Sequence, residues 1–168
     1  GNITKFNFDI SLFDFFTSIY FNVPIYILNK TYDINSIFKD INKNKITSFF
    51  STPSFFSQFV YDNSVKKTKK TSLKQIISGG DFFPKNHLKH WIKNNDKIKI
   101  FNVWGPTETS IVNSMHFIDN KDKKNIDNYK YMPVGISTKR MEIKLIKRKK
   151  IINENYTHGD ICLSGKSI

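Results

Sequence analysis

The chain has 168 residues, 15% of them aromatic, which is enough apolar material for one domain with a real core and argues against disorder. Its net charge of +13 invites a nucleic-acid reading, but every one of the 27 basic residues except Arg140 and Arg148 is Lys, scattered among Asn and Ile. Readers of bases and phosphates favour Arg, so the charge is read as solvated Lys faces rather than a nucleic-acid surface. The one cysteine, Cys162, excludes an intrachain disulfide and suits a reducing, cytoplasmic compartment.

Residues 6–8 read as a short buried strand that runs into Asp9, with Ser11 placed to N-cap a helix over 12–20. That segment carries Leu12, Phe13, Phe15, Phe16 and Ile19, a broad apolar face that predicts a well-buried helix. Residues 23–28 read as a strand, and Asp33 or Asn35 starts a helix ending near Lys43 and Asn44. Residues 46–50 are a strand closed by Ser51-Thr52-Pro53. Residues 54–60 are helical, with Phe55, Phe56 and Phe59 read as core. Residues 63–72, with four Lys among them, read as a surface loop. Residues 73–77 are a strand that ends at Gly79-Gly80. Pro84 begins a helix to Lys93 that carries His87 and His90; no third ligand follows at metal spacing, so the pair reads as a surface pair.

Residues 99–104 form a strand, 110–117 a second one, and 119–129 a charged loop. From about Tyr131 strands follow one another: 141–146, a hairpin turn at 147–150, then 151–152 and 161–163. His116 and His158 read as partners in local hydrogen bonds, and Cys162 as an inert core thiol. Alternating strands and helices predict an α/β fold, a largely parallel sheet with flanking helices over 1–130, followed by the start of a β-rich unit over 131–168. No stretch approaches the ~20 apolar residues of a membrane span, and no secretory signal opens the chain. Both ends look cut, as expected of a fragment.

The most informative stretch is Asn102-Val103-Trp104-Gly105-Pro106-Thr107-Glu108-Thr109. Gly105 and Pro106 break the strand sharply. A turn at the carboxyl end of a strand is where open α/β sheets bind ligands. A hydroxyl and a carboxylate there suit a hydrated Mg²⁺ beside a phosphate, since both are hard oxygen ligands. An aromatic just before the turn suits a flat base. An ordinary strand-to-loop exit is the plainer reading. Asp9 likewise has two readings: an anion at the positive end of a helix, or a ligand-binding carboxylate.

These residues resemble a known family. Residues 102–109 are similar to the N-x-Y-G-P-T-E signature of adenylate-forming enzymes, specifically the amino-acid adenylation domains of nonribosomal peptide synthetases. Phe8-Asp9-Ile10-Ser11 resembles that family's F-D-x-S, Ile77-Ser78-Gly79-Gly80-Asp81 its adenine loop, and Gly159-Asp160-Ile161-Cys162-Leu163-Ser164-Gly165 its G-E-L-C-I-x-G. Four ordered matches are far more specific than one. They span nearly the whole chain but only the middle of the family's longer domain. The phosphate loop would lie upstream of Gly1, and the ribose-binding Asp, hinge and catalytic Lys downstream of Ile168. Trp104 for Tyr, Asp81 in the usual Glu position, and Ile136 not followed by Pro depart from the pattern.

The resemblance implies ATP and Mg²⁺ as cofactors, an amino-acid substrate, and a phosphopantetheinylated carrier protein or domain as partner within a larger synthetase. It implies that Thr107 contacts phosphate, Glu108 holds the metal and Trp104 stacks on adenine, with Gly79, Gly80, Asp81, Asn102 and Gly105 around the nucleotide. Asp9 would hold the substrate's ammonium. Ile10, Phe13, Ser51, Ile77, Gly79, Val103, Ile111 and Val112 would line the side-chain pocket, which predicts a neutral, aliphatic α-amino acid. The placement of Ser51 rests on Pro53, and a slip of one residue would bring Thr52 or Phe50 instead. Two other classes stay open: an acyl-CoA or D-alanine carrier-protein ligase, and a non-catalytic basic nucleic-acid-binding module.

Overall fold

The computed structural model describes residues 1–29, 33–62, 71–95, 97–109, 111–152 and 157–166. A five-stranded sheet dominates it: β1 (Ser48–Ser51), β2 (Gln75–Ser78), β3 (Lys99–Trp104), β4 (Ser114–Phe117) and β5 (Ile136–Ser137), in that order. β1, β2 and β3 are mutually parallel, whereas β4 and β5 add antiparallel. The expected parallel core therefore spans three strands of a mixed sheet. Helices α2 (Ile34–Lys43), α3 (Pro53–Tyr61) and α4 (Lys85–Asn94) alternate with its strands, and α1 (Asp9–Phe21) precedes them. A second sheet of three antiparallel strands follows, with β6 (Met141–Lys147) between β7 (Lys150–Ile152) and β8 (Asp160–Gly165).

Local chemistry explains most of these boundaries. The Asp33 side chain accepts from Ser36 N and caps α2. The Ser36 hydroxyl and backbone also hold the Asp33 carboxyl below its ordinary range. Pro53 opens α3 at a position that needs no amide hydrogen. Arg148 and Lys149 turn the β6–β7 hairpin with φ of 50° and 63°, the positive values a type I′ turn requires.

Pleating divides the sheet into two faces. Phe49, Ile76 and Ile100, in register across β1, β2 and β3, face α2, α3 and α4 and join the main core. Trp91 is its centre, fully buried, with its Nε1 donating to the Phe56 carbonyl at 3.1 Å. Burying one side chain of this class is worth about 1.5–3 kcal/mol. The alternate residues Phe50, Ile77 and Val103 face the other way and pack with Ile10 and Phe13 of α1.

Several sequence-based expectations are corrected. Residues 6–8 form a turn closed by Phe8 N donating to the Lys5 carbonyl, and Phe6 and Phe8 are exposed. Ser11 lies inside α1 and donates to the Phe8 carbonyl, so it does not cap from outside. α1 itself is not well buried: Phe16, Ile19 and Tyr20 are more than half exposed. Its apolar pattern records a sticky face, and only Ile10 and Ser11 are fully covered among the described residues. Residues 23–28 contribute one isolated bridge, Ile27 to Asn2, and no full strand. β4 starts at Ser114, because Thr107–Thr109 form a 3-10 turn ahead of it.

The charged stretch after 119 is α5 (Asn120–Asn125), held by a capping box between Asp119 and Asp122. Burial would raise the Asp122 carboxyl, but the Asp119 amide, Tyr129 hydroxyl and His116 ring outweigh it and hold it low. Thus His116 makes the local hydrogen bond expected of it. Cys162 is exposed, because the second sheet leaves much of its surface open. Most of the loop expected over 63–72 lies outside the described residues. No described helix is long and apolar enough to cross a membrane.

Candidate functional site

The site lies at the carboxyl ends of β1, β2 and β3. Each strand ends where its next residues must turn away, so backbone groups collect there. Gly79 follows β2 and lies against Val103: a Cβ on it would meet Val103 Cγ2 at 2.6 Å and the Val103 carbonyl at 3.1 Å. Only glycine lets the two strand ends approach so closely. Gly105 after β3 is similarly constrained, since a Cβ would meet the Ile111 carbonyl at 2.7 Å and Asn113 Oδ1 at 2.9 Å.

The loop from Gly105 to Asn113 is tied down from within. Buried Asn113 uses both ends of its amide on Thr109: Nδ2 donates to the Thr109 carbonyl at 2.9 Å, and Oδ1 accepts from the Thr109 hydroxyl at 2.6 Å. Asn113 N also donates to the Trp104 carbonyl at 2.8 Å. This clasp holds Thr107 and Glu108 at an exposed apex. Glu108 makes no ion pair among the described residues. Those residues contain no group of three His, Cys, Asp or Glu that could hold a metal alone. His87 Nδ1 is bonded to Ser57 Oγ at 2.7 Å.

Two cavities open beside this apex. One, of about 340 Å³, is lined by Gly80, Asp81, Asn102, Trp104 and Gly105, with Phe82, Phe83, Tyr131, Met132 and Val134. Asn102 also pins its far wall, donating from Nδ2 to the Pro133 carbonyl at 2.9 Å. The other, of about 180 Å³, is lined by Asp9, Ile10, Phe50, Gly79, Val103, Thr107 and Ile111, with Phe8 and Pro106. Gly80, Val103 and Gly105 border both, so the cavities abut at the turn. Asp9 sits half-buried in the first turn of α1, at the positive end of a 13-residue helix.

The structure thus brings together most of the residues singled out from sequence. Asp9, Ile10, Gly79, Val103 and Ile111 line the smaller cavity. Phe13, Ile77 and Val112 pack behind it in the same apolar cluster. Ser51 does not join them. It lies on the opposite face of β1, in a separate cavity beside Ile3 and Ile37. The pleat presents Phe50 instead, its ring edge-on to Phe13 at 5.0 Å. Sequence reading also missed Phe82, Tyr131, Met132 and Val134. Their only local signal was a pair of turns rich in Phe, Tyr and Pro.

Comparison with known proteins gives a consistent result. A family model described as AMP-binding enzyme matches residues 2–168. The D-alanine–D-alanyl carrier protein ligase of Bacillus anthracis is 24% identical over 170 residues, which is 99% of this chain and 33% of the ligase. The chain therefore spans about a third of the length of the curated relatives it matches. The Klebsiella oxytoca NpsA N-terminal subdomain in complex with 3-hydroxybenzoyl-AMSN has the same fold, with a TM-score of 0.82 at 20% identity, over 99% of this chain and 41% of that one. Holo-PA1221, an NRPS protein containing adenylation and PCP domains, gives 0.84 at 20% identity, over 99% and 28%.

Proposed function

The chain belongs to the AMP-binding enzyme family, and from that premise we propose that it is part of an amino-acid adenylation domain. The reaction is attack of an amino-acid carboxylate oxygen on the α-phosphorus of ATP. It forms aminoacyl-AMP and releases pyrophosphate; a carrier-protein thiol then takes the acyl group as a thioester and AMP leaves. The observation that carries this reading is the pair of abutting cavities. One is wide and aromatic; the other is smaller, with the Asp9 carboxylate and the Thr107 hydroxyl beside a wall of Ile10, Phe50, Val103 and Ile111, and they share Gly80, Val103 and Gly105.

Each residue has a role in that geometry. Trp104 offers a flat face to adenine, and Asn102 and the backbone after Gly80 border its edge. Thr107, which lines the smaller cavity, supplies a hydroxyl to phosphate where the two substrates meet. Glu108 suits Mg²⁺, because that ion binds through one or two carboxylates plus the substrate's phosphates rather than an all-protein cage. The ion would offset the charge that develops on the phosphates. Asp9 pairs with the α-ammonium of the amino acid. Positioning and electrostatics carry the rate, since phosphoryl transfer asks little covalent chemistry of the protein.

The substrate proposed is a neutral aliphatic α-amino acid. With Phe50 in place of Ser51, the side-chain wall of Ile10, Phe50, Val103 and Ile111 carries no polar side chain. A charged substrate side chain would lose several kcal/mol on desolvation there. An aliphatic one gains about 0.8 kcal/mol per buried CH₂. The D-alanyl carrier-protein ligases among the relatives activate a small member of this class, which favours the same reading. The two units proposed are 1–130 and 131–168, with β5 of the first sheet falling in the second range. The test is ATP–pyrophosphate exchange by the full-length parent across a panel of amino acids. Exchange is expected with Val, Ile or Leu, and neighbours differing by one methylene should be separated only about 10- to 200-fold. A clear preference for Asp, Glu, Lys or Arg contradicts the pocket.

A further inference from the structure

Two large aromatic side chains stand at the mouth of the Trp104 cavity, and none of the roles above uses them. Phe82 follows the Gly80–Asp81 turn, and Tyr131 comes from the segment ahead of β5. Their rings meet edge to face, with centroids 5.2 Å apart and planes at 89°. Both border the cavity, yet 53% and 58% of their surfaces face solvent. A ring pair that served the core would be buried. The residues next to each show the contrast: Phe83 and Met132 are 3% and 8% exposed and belong to the main core. Each segment therefore anchors one side chain inward and leaves the adjacent ring at the cavity.

The backbone beside each ring is also fixed. The Phe82 amide donates to Asp81 Oδ1 at 2.7 Å, and Asn102 fixes the Pro133 carbonyl two residues beyond Tyr131. The Lys130 ammonium lies 5.4 Å from the Tyr131 ring centroid, yet both rings keep more than half of their surface open beside the cavity. A purine base has an apolar π-face of the right kind, and Trp104 is in the same cavity.

We infer that Phe82 and Tyr131 form a second aromatic wall that binds the nucleotide's base. This rests on the reading of the cavity as a nucleotide site. With their planes at 89°, one ring lies flat on the base and the other meets it edge-on, so the pair adds affinity for the base without choosing adenine over guanine. The experiment is equilibrium binding of AMP, and of base-free tripolyphosphate, to the full-length parent and to its Phe82→Ala, Tyr131→Ala, Tyr131→Phe and Trp104→Ala variants. Phe82→Ala and Tyr131→Ala are each expected to weaken AMP, the stacked ring roughly 5- to 100-fold and the edge-on ring roughly 2- to 10-fold. Tyr131→Phe keeps the ring and binds AMP as the parent does. Tripolyphosphate affinity stays the same throughout, which a general loss of structure would not allow. If Trp104→Ala weakens AMP while Phe82→Ala and Tyr131→Ala do not, the second wall is refuted and the base site stands. If the parent itself does not bind AMP, both fall.

Discussion

Asp9→Ala is expected to raise the KM for the amino acid roughly ten- to a hundred-fold in the full-length parent, with little change in the KM for ATP. The size follows from losing a charge-assisted hydrogen bond, which is worth about 1.5–3 kcal/mol. Asp9 also has a plain structural role as an anion in the first turn of α1. That role is worth only about 0.3–1 kcal/mol and would appear as lower thermal stability. The two roles therefore separate. A ligand carboxylate changes the kinetic constant for one substrate; a helix-end anion changes the melting curve and leaves the folded enzyme's constants alone. Asp9→Asn sharpens the contrast, because it keeps the shape and removes the charge. Asp9→Ala with an unaltered KM for the amino acid would leave Asp9 with its helix role alone.

The second large effect concerns Glu108. Glu108→Gln should lower turnover on the order of a hundred-fold, the scale of losing one electrostatic contact to a developing charge. It should also raise the Mg²⁺ concentration needed for half-maximal rate, while the amino acid still binds as before. The structure favours this separation. Glu108 is exposed at the apex of the Gly105–Asn113 loop and is absent from the lining of the smaller cavity. The fold should not suffer, because the clasp that holds the loop runs through Thr109 and Asn113 and not through Glu108. A Mg²⁺ titration of initial rates reads the effect directly. An unchanged Mg²⁺ dependence in the variant would remove Glu108 from the metal.

Local chemistry was legible in the sequence wherever a residue fixes its own backbone. The β3 strand and its Gly105–Pro106 break, the Asp33 cap and the Pro53 helix start all fall where residue type dictates. α5 was missed because its Lys and Asp residues read as a charged loop, although Asp119 and Asp122 spell a capping box three residues apart. The exposed face of α1 was not legible, because apolar periodicity shows which side is sticky and not what covers it. The exchange of Ser51 for Phe50 has the same kind of cause. Which residue of β1 faces the small cavity depends on the pairing of Phe50 with Ile77 and then Phe101, and that register belongs to the sheet, not to β1. Phe82 and Tyr131 meet only through tertiary folding, so no spacing announces them.

On the proposed reading, the two abutting cavities join an amino acid to AMP. The most direct test is to incubate the full-length parent with ATP, Mg²⁺ and isoleucine and to identify the nucleotide products by mass spectrometry. Isoleucyl-AMP and pyrophosphate are expected in equal amounts, with neither formed when the amino acid is left out. Release of ADP and phosphate with no aminoacyl-AMP, or a product that forms without any amino acid, would contradict it.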